Sequence, residues 1–186
     1  MPILRLEPMR KLAVLAWTVA SAAALVSSAV AAEPNVGALS VERGRGVIML
    51  DVRGSVLGRV ASGTLRVTDI TPNDRYTALV AGRKLTQERI GPRMVLYRGV
   101  GLRFRMLGGG YRIVVRGTGI SLSAVGRGVV VLDGEPREPG DDTGVYSLEE
   151  GVDCGLEPEA CESLPDEPER HILGPVDEGS TRPRVP

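Results

Sequence analysis

The sequence predicts an all-β protein: a compact antiparallel sandwich or barrel of short strands, followed by a largely irregular acidic C-terminal tail. Three observations lead there. Short apolar or alternating segments recur at spacings of roughly 8–12 residues. Glycine-centred turn signals separate them. Beyond residue 32 no stretch holds helical periodicity over the ten or more residues that a helix needs.

The chain opens with Arg5, Arg10 and Lys11, then an uncharged apolar run from Leu12 to Val30 that closes on Ala29-Val30-Ala31-Ala32. A positive start, an apolar middle and a small-residue end make the layout of a secretory signal over residues 1–32. Cleavage is expected after Ala31 or Ala32. A retained anchor needs about 20 apolar residues; the run is long enough, but Ala, Ser and Thr dilute it. No cysteine follows for lipid attachment and no Arg-Arg pair precedes it. The mature chain carries no further segment of membrane-spanning length, so it is expected to be secreted or extracytoplasmic, in the cell envelope.

Residues 33–134 form the expected β body, about 100 residues and enough for one core. Candidate strands are Gly46–Val52, Thr64–Thr68, Leu102–Met106, Tyr111–Val115 and Val129–Leu132. Turn signals are Thr71-Pro72-Asn73-Asp74, Gly91-Pro92, Gly99-Val100-Gly101, Gly108-Gly109-Gly110 and Gly126-Arg127-Gly128. A two-residue turn at Gly109-Gly110 sets Phe104 opposite Val115 and Met106 opposite Ile113. Phe104, Met106, Ile113 and Val115 then share one face. Arg103, Arg105, Arg112 and Arg116 share the other, with Arg103 directly opposite Arg116. A one-residue slip would mix arginine into the core.

A weak internal echo runs through the body. Val52-Arg53-Gly54 and Val115-Arg116-Gly117 each end an apolar segment on Arg-Gly, and Gly63 and Gly126 follow at the same distance. Two facing β units would produce it, as would chance in a chain rich in Arg and Gly. The stretch Gly54-Ser55-Val56-Leu57-Gly58-Arg59-Val60 also resembles a rung of bactofilin-like β-solenoids. That resemblance implies a short β-solenoid as the alternative architecture.

Residues 135–186 read as an acidic, proline-rich tail, mostly disordered, in which Val145-Tyr146-Ser147-Leu148 is the only candidate strand. Cys154 and Cys161, the only cysteines, read as a disulfide in an oxidising compartment. The formal net charge of zero hides a segregation. Residues 33–132 hold sixteen Arg and Lys against six Asp and Glu, and residues 133–186 hold four against sixteen. A basic body joined to an acidic tail suggests that the tail screens the arginine face.

The residue inventory weighs against most catalytic centres. The single histidine, His171, lies in the tail, so a Ser-His-Asp or Cys-His centre would need the tail folded over the body. Cys154, Cys161 and His171 do not match a zinc-ligand spacing. Asp142-Thr143-Gly144 resembles the aspartic-protease triplet but lacks the preceding apolar strand and a second copy. No phosphate-binding glycine loop is present, so no cofactor is expected. Three tyrosines, one phenylalanine and no tryptophan in the body make a poor stacking platform, and there is no specific nucleic-acid signal. Paired carboxylates would come from Glu42, Asp51, Asp69, Asp74 or Glu88. Two functions follow. The first is a non-catalytic binding or structural module of the cell exterior. In it Arg103, Arg105, Arg112 and Arg116 hold an anionic envelope polymer or an acidic protein surface, by the two-pronged hydrogen bonding arginine offers. The alternative is a secreted hydrolase using two carboxylates.

Overall fold

The computed structural model describes residues 36–71 and 75–175. The expected signal segment and Asp74 lie outside the described residues. Seven strands and one short 3-10 turn follow in chain order: β1 (Gly37–Asp69), β2 (Leu79–Gly91), β3 (Met94–Met106), β4 (Gly110–Gly134), β5 (Val145–Ser147), the turn Pro158–Ala160, β6 (Glu162–Ser163) and β7 (Glu169–Leu173). The all-β expectation holds. Every ladder is antiparallel, which replaces the solenoid alternative, whose rungs would stack in parallel. The sheet ends on β2 at one side and β7 at the other, so it is open and no barrel closes. Among the described residues no helix is long and apolar enough to cross a membrane.

The organising element is β1, whose 33 residues pair with β4 in two registers. Residues 37–53 lie along one edge of β4, and residues 54–69 lie along its other edge. Residues 46–53 also pair, on their far side, with the end of β4 at residues 127–134. A long two-stranded ribbon has therefore folded over and paired with itself. The separate candidate strands Gly46–Val52 and Thr64–Thr68 are parts of this one strand, and Gly54, Gly58 and Gly63 between them are places where it can coil without ending. The segments Gly99–Gly101 and Gly126–Gly128 likewise lie inside β3 and β4 rather than in turns. Gly91-Pro92 does make the expected tight connection, between β2 and β3.

A row of glycines crosses five neighbouring segments at the coil: Gly134 pairs with Gly46, Gly46 with Gly117, Gly117 with Gly63, and Gly63 with Gly99. On either side of the row the buried parity reverses. In β1 the core residues are Leu39 and Val41, then Ile48, Leu50 and Val52; later Val56 and Val60, then Leu65 and Val67. In β4 they are Tyr111, Ile113 and Val115, then Ile120, Leu122 and Ala124. In β3 Tyr97 gives way to Leu102, Phe104 and Met106. Each strand turns its other face inward as it crosses the row, as strands do at corners between packed layers. Backbones approach closely there: a Cβ on Gly63 would lie 2.1 Å from the Arg116 carbonyl oxygen, and one on Gly117 would lie 2.2 Å from that of Ser62. The Arg-Gly echo has a structural counterpart. Gly54 faces Gly126 and Gly63 faces Gly117 in one antiparallel ladder, so equal spacing on the two strands sets glycine against glycine twice.

The hairpin expected between Leu102–Met106 and Tyr111–Val115 is not formed. The two segments alternate as expected, with Phe104, Met106, Ile113 and Val115 buried and the four arginines outward. Residues 54–69 of β1, however, lie between β3 and β4 and pair with both. Alternation fixes which face a side chain takes, and it is blind to which strand lies next door.

The acidic C-terminal stretch is mostly irregular in backbone, yet three short strands tie it to the sheet. β5 pairs with β1 at residues 40–42, β6 with β5, and β7 with β4 at residues 128–132. The Gly134 N–H donates to the Pro165 carbonyl at 2.6 Å, and the Leu164 N–H to that of Gly144 at 2.9 Å. Tyr146, Leu164 and Leu173 enter the core. The Tyr146 hydroxyl donates to Glu162 at 3.1 Å. Burial first, then the Glu162 hydrogen bond and the charges of Glu162 and Glu169, push its pKa up to about 12.

Candidate functional site

The two largest cavities described share one stretch of the outer face, where five strand segments cross side by side. One outward row reads Ser40, Ser123, Leu57, Arg105, Leu79 from β1 through β4, β1 again and β3 to β2. The next reads Ser121, Arg59, Arg103, Ala81, with Glu42 at the bulged end. Serines and Ala81 are too short to fill the space between long leucine and arginine side chains, so a trough remains. Its first part is a cavity of about 720 Å³ that includes Leu57, Leu79, Val80, Leu122, Arg105 and Asp153. The second, about 660 Å³, shares Glu42, Arg59, Arg103 and Ser121 and adds Arg43 and Arg83. Bare backbone at Gly82, Gly101 and Gly119 lines that second part.

The structure divides the four arginines that alternation places on one face. Arg112 is held by Asp51 at 2.6 Å, and Arg116 by Glu135. Arg103 and Arg105 stand in the trough instead. Arg103 faces Arg59, not Arg116, across the β1–β3 ladder. A directly opposed like-charge pair costs a few tenths of a kcal/mol or more, and the Glu42 carboxylate, 3.0 Å from Arg59, offsets part of it. Arg45 and Arg43 meet Asp141 and Asp142 of the acidic stretch, at 3.2 and 3.9 Å. Among the described residues no carboxylate lies within 4 Å of Arg83, Arg103 or Arg105. The described part of the acidic stretch thus pairs with Arg43 and Arg45 and not with Arg83, Arg103 or Arg105.

Cys154 and Cys161 form a disulfide, and Cys154 is buried. Its N–H donates to the Ser40 hydroxyl at 3.0 Å, which sets Asp153 on the trough wall. Closing so short a loop is worth about 2–3 kcal/mol by the chain-entropy relation. Urea titration of the oxidised protein should therefore give an unfolding free energy higher by that amount than the same protein under reductant. A Cys154→Ser/Cys161→Ser variant should lose the reductant dependence. Equal stability with and without reductant would mean that the link contributes nothing.

His171 does come to the body, as a β7 residue paired with Val130. Its ring lies 5.5 Å from that of Tyr146, and its Nε2 is 3.6 Å from Glu169. Among the described residues its buried Nε2 has no hydrogen-bond partner. Of the carboxylates named from sequence, Asp51 is paired with Arg112, Glu42 with Arg59, and Asp69 accepts the Thr71 N–H at 2.9 Å. Glu88 lies on the outer strand β2. Glu42 and Asp153 share the trough, a pairing invisible in sequence because 111 positions separate them. Asp153 already accepts the Gly155 N–H at 2.8 Å. Tyr76, Tyr97 and Tyr111 line a separate cavity of about 330 Å³ with Asp69, Arg89 and Arg93. Burial raises the Tyr97 hydroxyl pKa there.

Comparison with protein-family models, with curated proteins and with solved structures gives no match to this chain. The site must be read from its own chemistry.

Proposed function

We propose that this protein is an exported, non-catalytic binding module of the cell exterior, and that the trough around Arg83, Arg103 and Arg105 holds an anionic ligand. The observation that carries this is a contrast within one basic surface. Arg45, Arg59, Arg112 and Arg116 each have a carboxylate partner, while Arg83, Arg103 and Arg105 of the trough have none among the described residues. Arginine clustered without intramolecular partners keeps its planar fork available for phosphate, carboxylate or sulfate. Export is supported by the signal-like first 32 residues and by the disulfide, a bond of oxidising compartments.

The test is a pair of double charge reversals. Arg103→Glu/Arg105→Glu should weaken polyphosphate or heparin binding at low salt by about ten-fold or more, the effect of roughly 1.4 kcal/mol. Arg112→Glu/Arg116→Glu, on arginines already paired, should change it far less. Equal losses in both variants would make the surface non-specifically basic and remove the trough from the argument. The hydrolase reading keeps one observation, Glu42 and Asp153 facing the same cavity. Each accepts a hydrogen bond from its own chain, and this favours binding over turnover.

A further inference from the structure

The trough sets exposed leucines beside arginines, and the ligand should combine apolar and anionic parts in the same way. Leu57 and Leu79 flank Arg105 in a single outward row, and they are 45% and 58% exposed. Two positions beyond Arg105 and Ser123 of the same row, Leu107 and Val125 are 43% and 47% exposed. Outward positions of a half-solvated antiparallel sheet are normally polar, so four large apolar side chains there form a patch that needs a cover. They continue away from Arg59 and Arg103, whose row adjoins the second, arginine-rich part with Arg83. At 720 Å³ the part that holds Leu57 and Leu79, with Arg103 and Arg105 beside them, has by itself the size of a small-molecule site, about 300–1,000 Å³.

Resting on the anion-binding reading, we propose that the trough binds a single anionic amphiphile. Its phosphate or carboxylate head meets Arg83, Arg103 and Arg105, and its hydrocarbon chain lies along Leu57 and Leu79. Charge complementarity selects this occupant. A bare polyanion leaves the leucines wet, a neutral lipid leaves the arginines unpaired, and an anionic amphiphile satisfies both. A Cβ on Gly58 would point inward and lie 2.4 Å from the buried Phe104 ring, so only backbone lies between Leu57 and Arg59 on the outer face.

The probe is dodecyl phosphate held below its micelle concentration and titrated into the exported protein by calorimetry. Inorganic phosphate and the neutral dodecyl maltoside serve as the two half-ligands. Dodecyl phosphate should bind about a hundred-fold or more tighter than inorganic phosphate, as burial of a chain against two leucines implies. Leu57→Ser/Leu79→Ser should weaken it about ten-fold and leave polyphosphate binding unchanged. Arg103→Gln/Arg105→Gln should weaken both. The leucines are exposed, so an unchanged thermal melt of the serine variant confirms that only binding is altered. Dodecyl phosphate no tighter than inorganic phosphate, with polyphosphate still bound, overturns the amphiphile inference and leaves the anion reading standing. Binding to phosphatidylglycerol vesicles without any binding of monomeric dodecyl phosphate also overturns it, in favour of surface adsorption. Failure of every anion removes both.

Discussion

Truncation after Gly134 should leave a protein that no longer melts cooperatively, or melts at least about 10 °C lower and aggregates. The acidic stretch reads from composition as a tether that could be cut to unmask the arginines. In the fold it supplies Tyr146, Leu164 and Leu173 to the core and covers β4 at residues 128–132. Burying side chains of this size is worth about 1.5–3 kcal/mol each, so the gross loss for the three is roughly 4.5–9 kcal/mol. The freed chain regains conformational entropy. Even half of the gross loss is a large share of a typical stability of about 5–15 kcal/mol. Val129–Leu132 would also become an uncovered apolar edge, which invites pairing with another chain. Circular dichroism melts with light scattering provide the test. A truncated protein with the parent melting curve would show that the acidic stretch is an accessory after all. It follows that charge neutralisation within the intact stretch, not truncation, is the sound way to probe screening of the arginines.

What could be read from the chain divides along a physical line. Local alternation decided faces: Phe104, Met106, Ile113 and Val115 are in, and Arg103, Arg105, Arg112 and Arg116 are out. Partner choice is non-local, so the register of the expected hairpin failed where residues 54–69 of β1 lie between its two strands. Glycine was ambiguous in the same way. As a turn signal it was right at Gly91-Pro92 and wrong at Gly99 and Gly126, which sit within strands. Only pairing distinguishes a glycine that ends a strand from one that lets it coil.

Proline and acid content marked the C-terminal stretch as irregular, which its backbone mostly is. It concealed how few apolar residues are needed to dock a stretch when each one is buried, as Tyr146, Leu164 and Leu173 are. The disulfide was legible because two isolated cysteines leave one pairing. The trough was not. Its rows draw on positions 40–42, 57–59, 79–81, 103–105 and 121–123, and each triplet alone is an ordinary strand segment with its two ends outward. A signal did exist in Leu57 and Leu79, apolar at outward positions, but it required knowing which way the strands faced.

The glycine row makes the sharpest claim about the fold, and a single methyl group tests it. Gly46→Ala should destabilise the protein by about 2–6 kcal/mol. Two separate costs add there. The backbone φ is +135°, a region that L side chains rarely adopt, which costs of order 1–3 kcal/mol. A Cβ would also lie 2.1 Å from the Asp133 carbonyl oxygen and 2.8 Å from the Glu135 nitrogen, both backbone atoms that cannot swing aside. Overpacking of this kind typically adds about 1–3 kcal/mol. Gly140→Ala separates the two. Its φ of +89° is also unfavourable for alanine, but a Cβ there meets nothing within 4 Å. It should cost only the conformational part, about 1–2 kcal/mol. Denaturant midpoints of both variants give the comparison. If Gly46→Ala costs no more than Gly140→Ala, the strands do not approach one another at the row as closely as described, and the coil of β1 around β4 must be looser there. If the gap is seen, the methyl group has measured the contact between β1 and the end of β4 on which the folded-over ribbon depends.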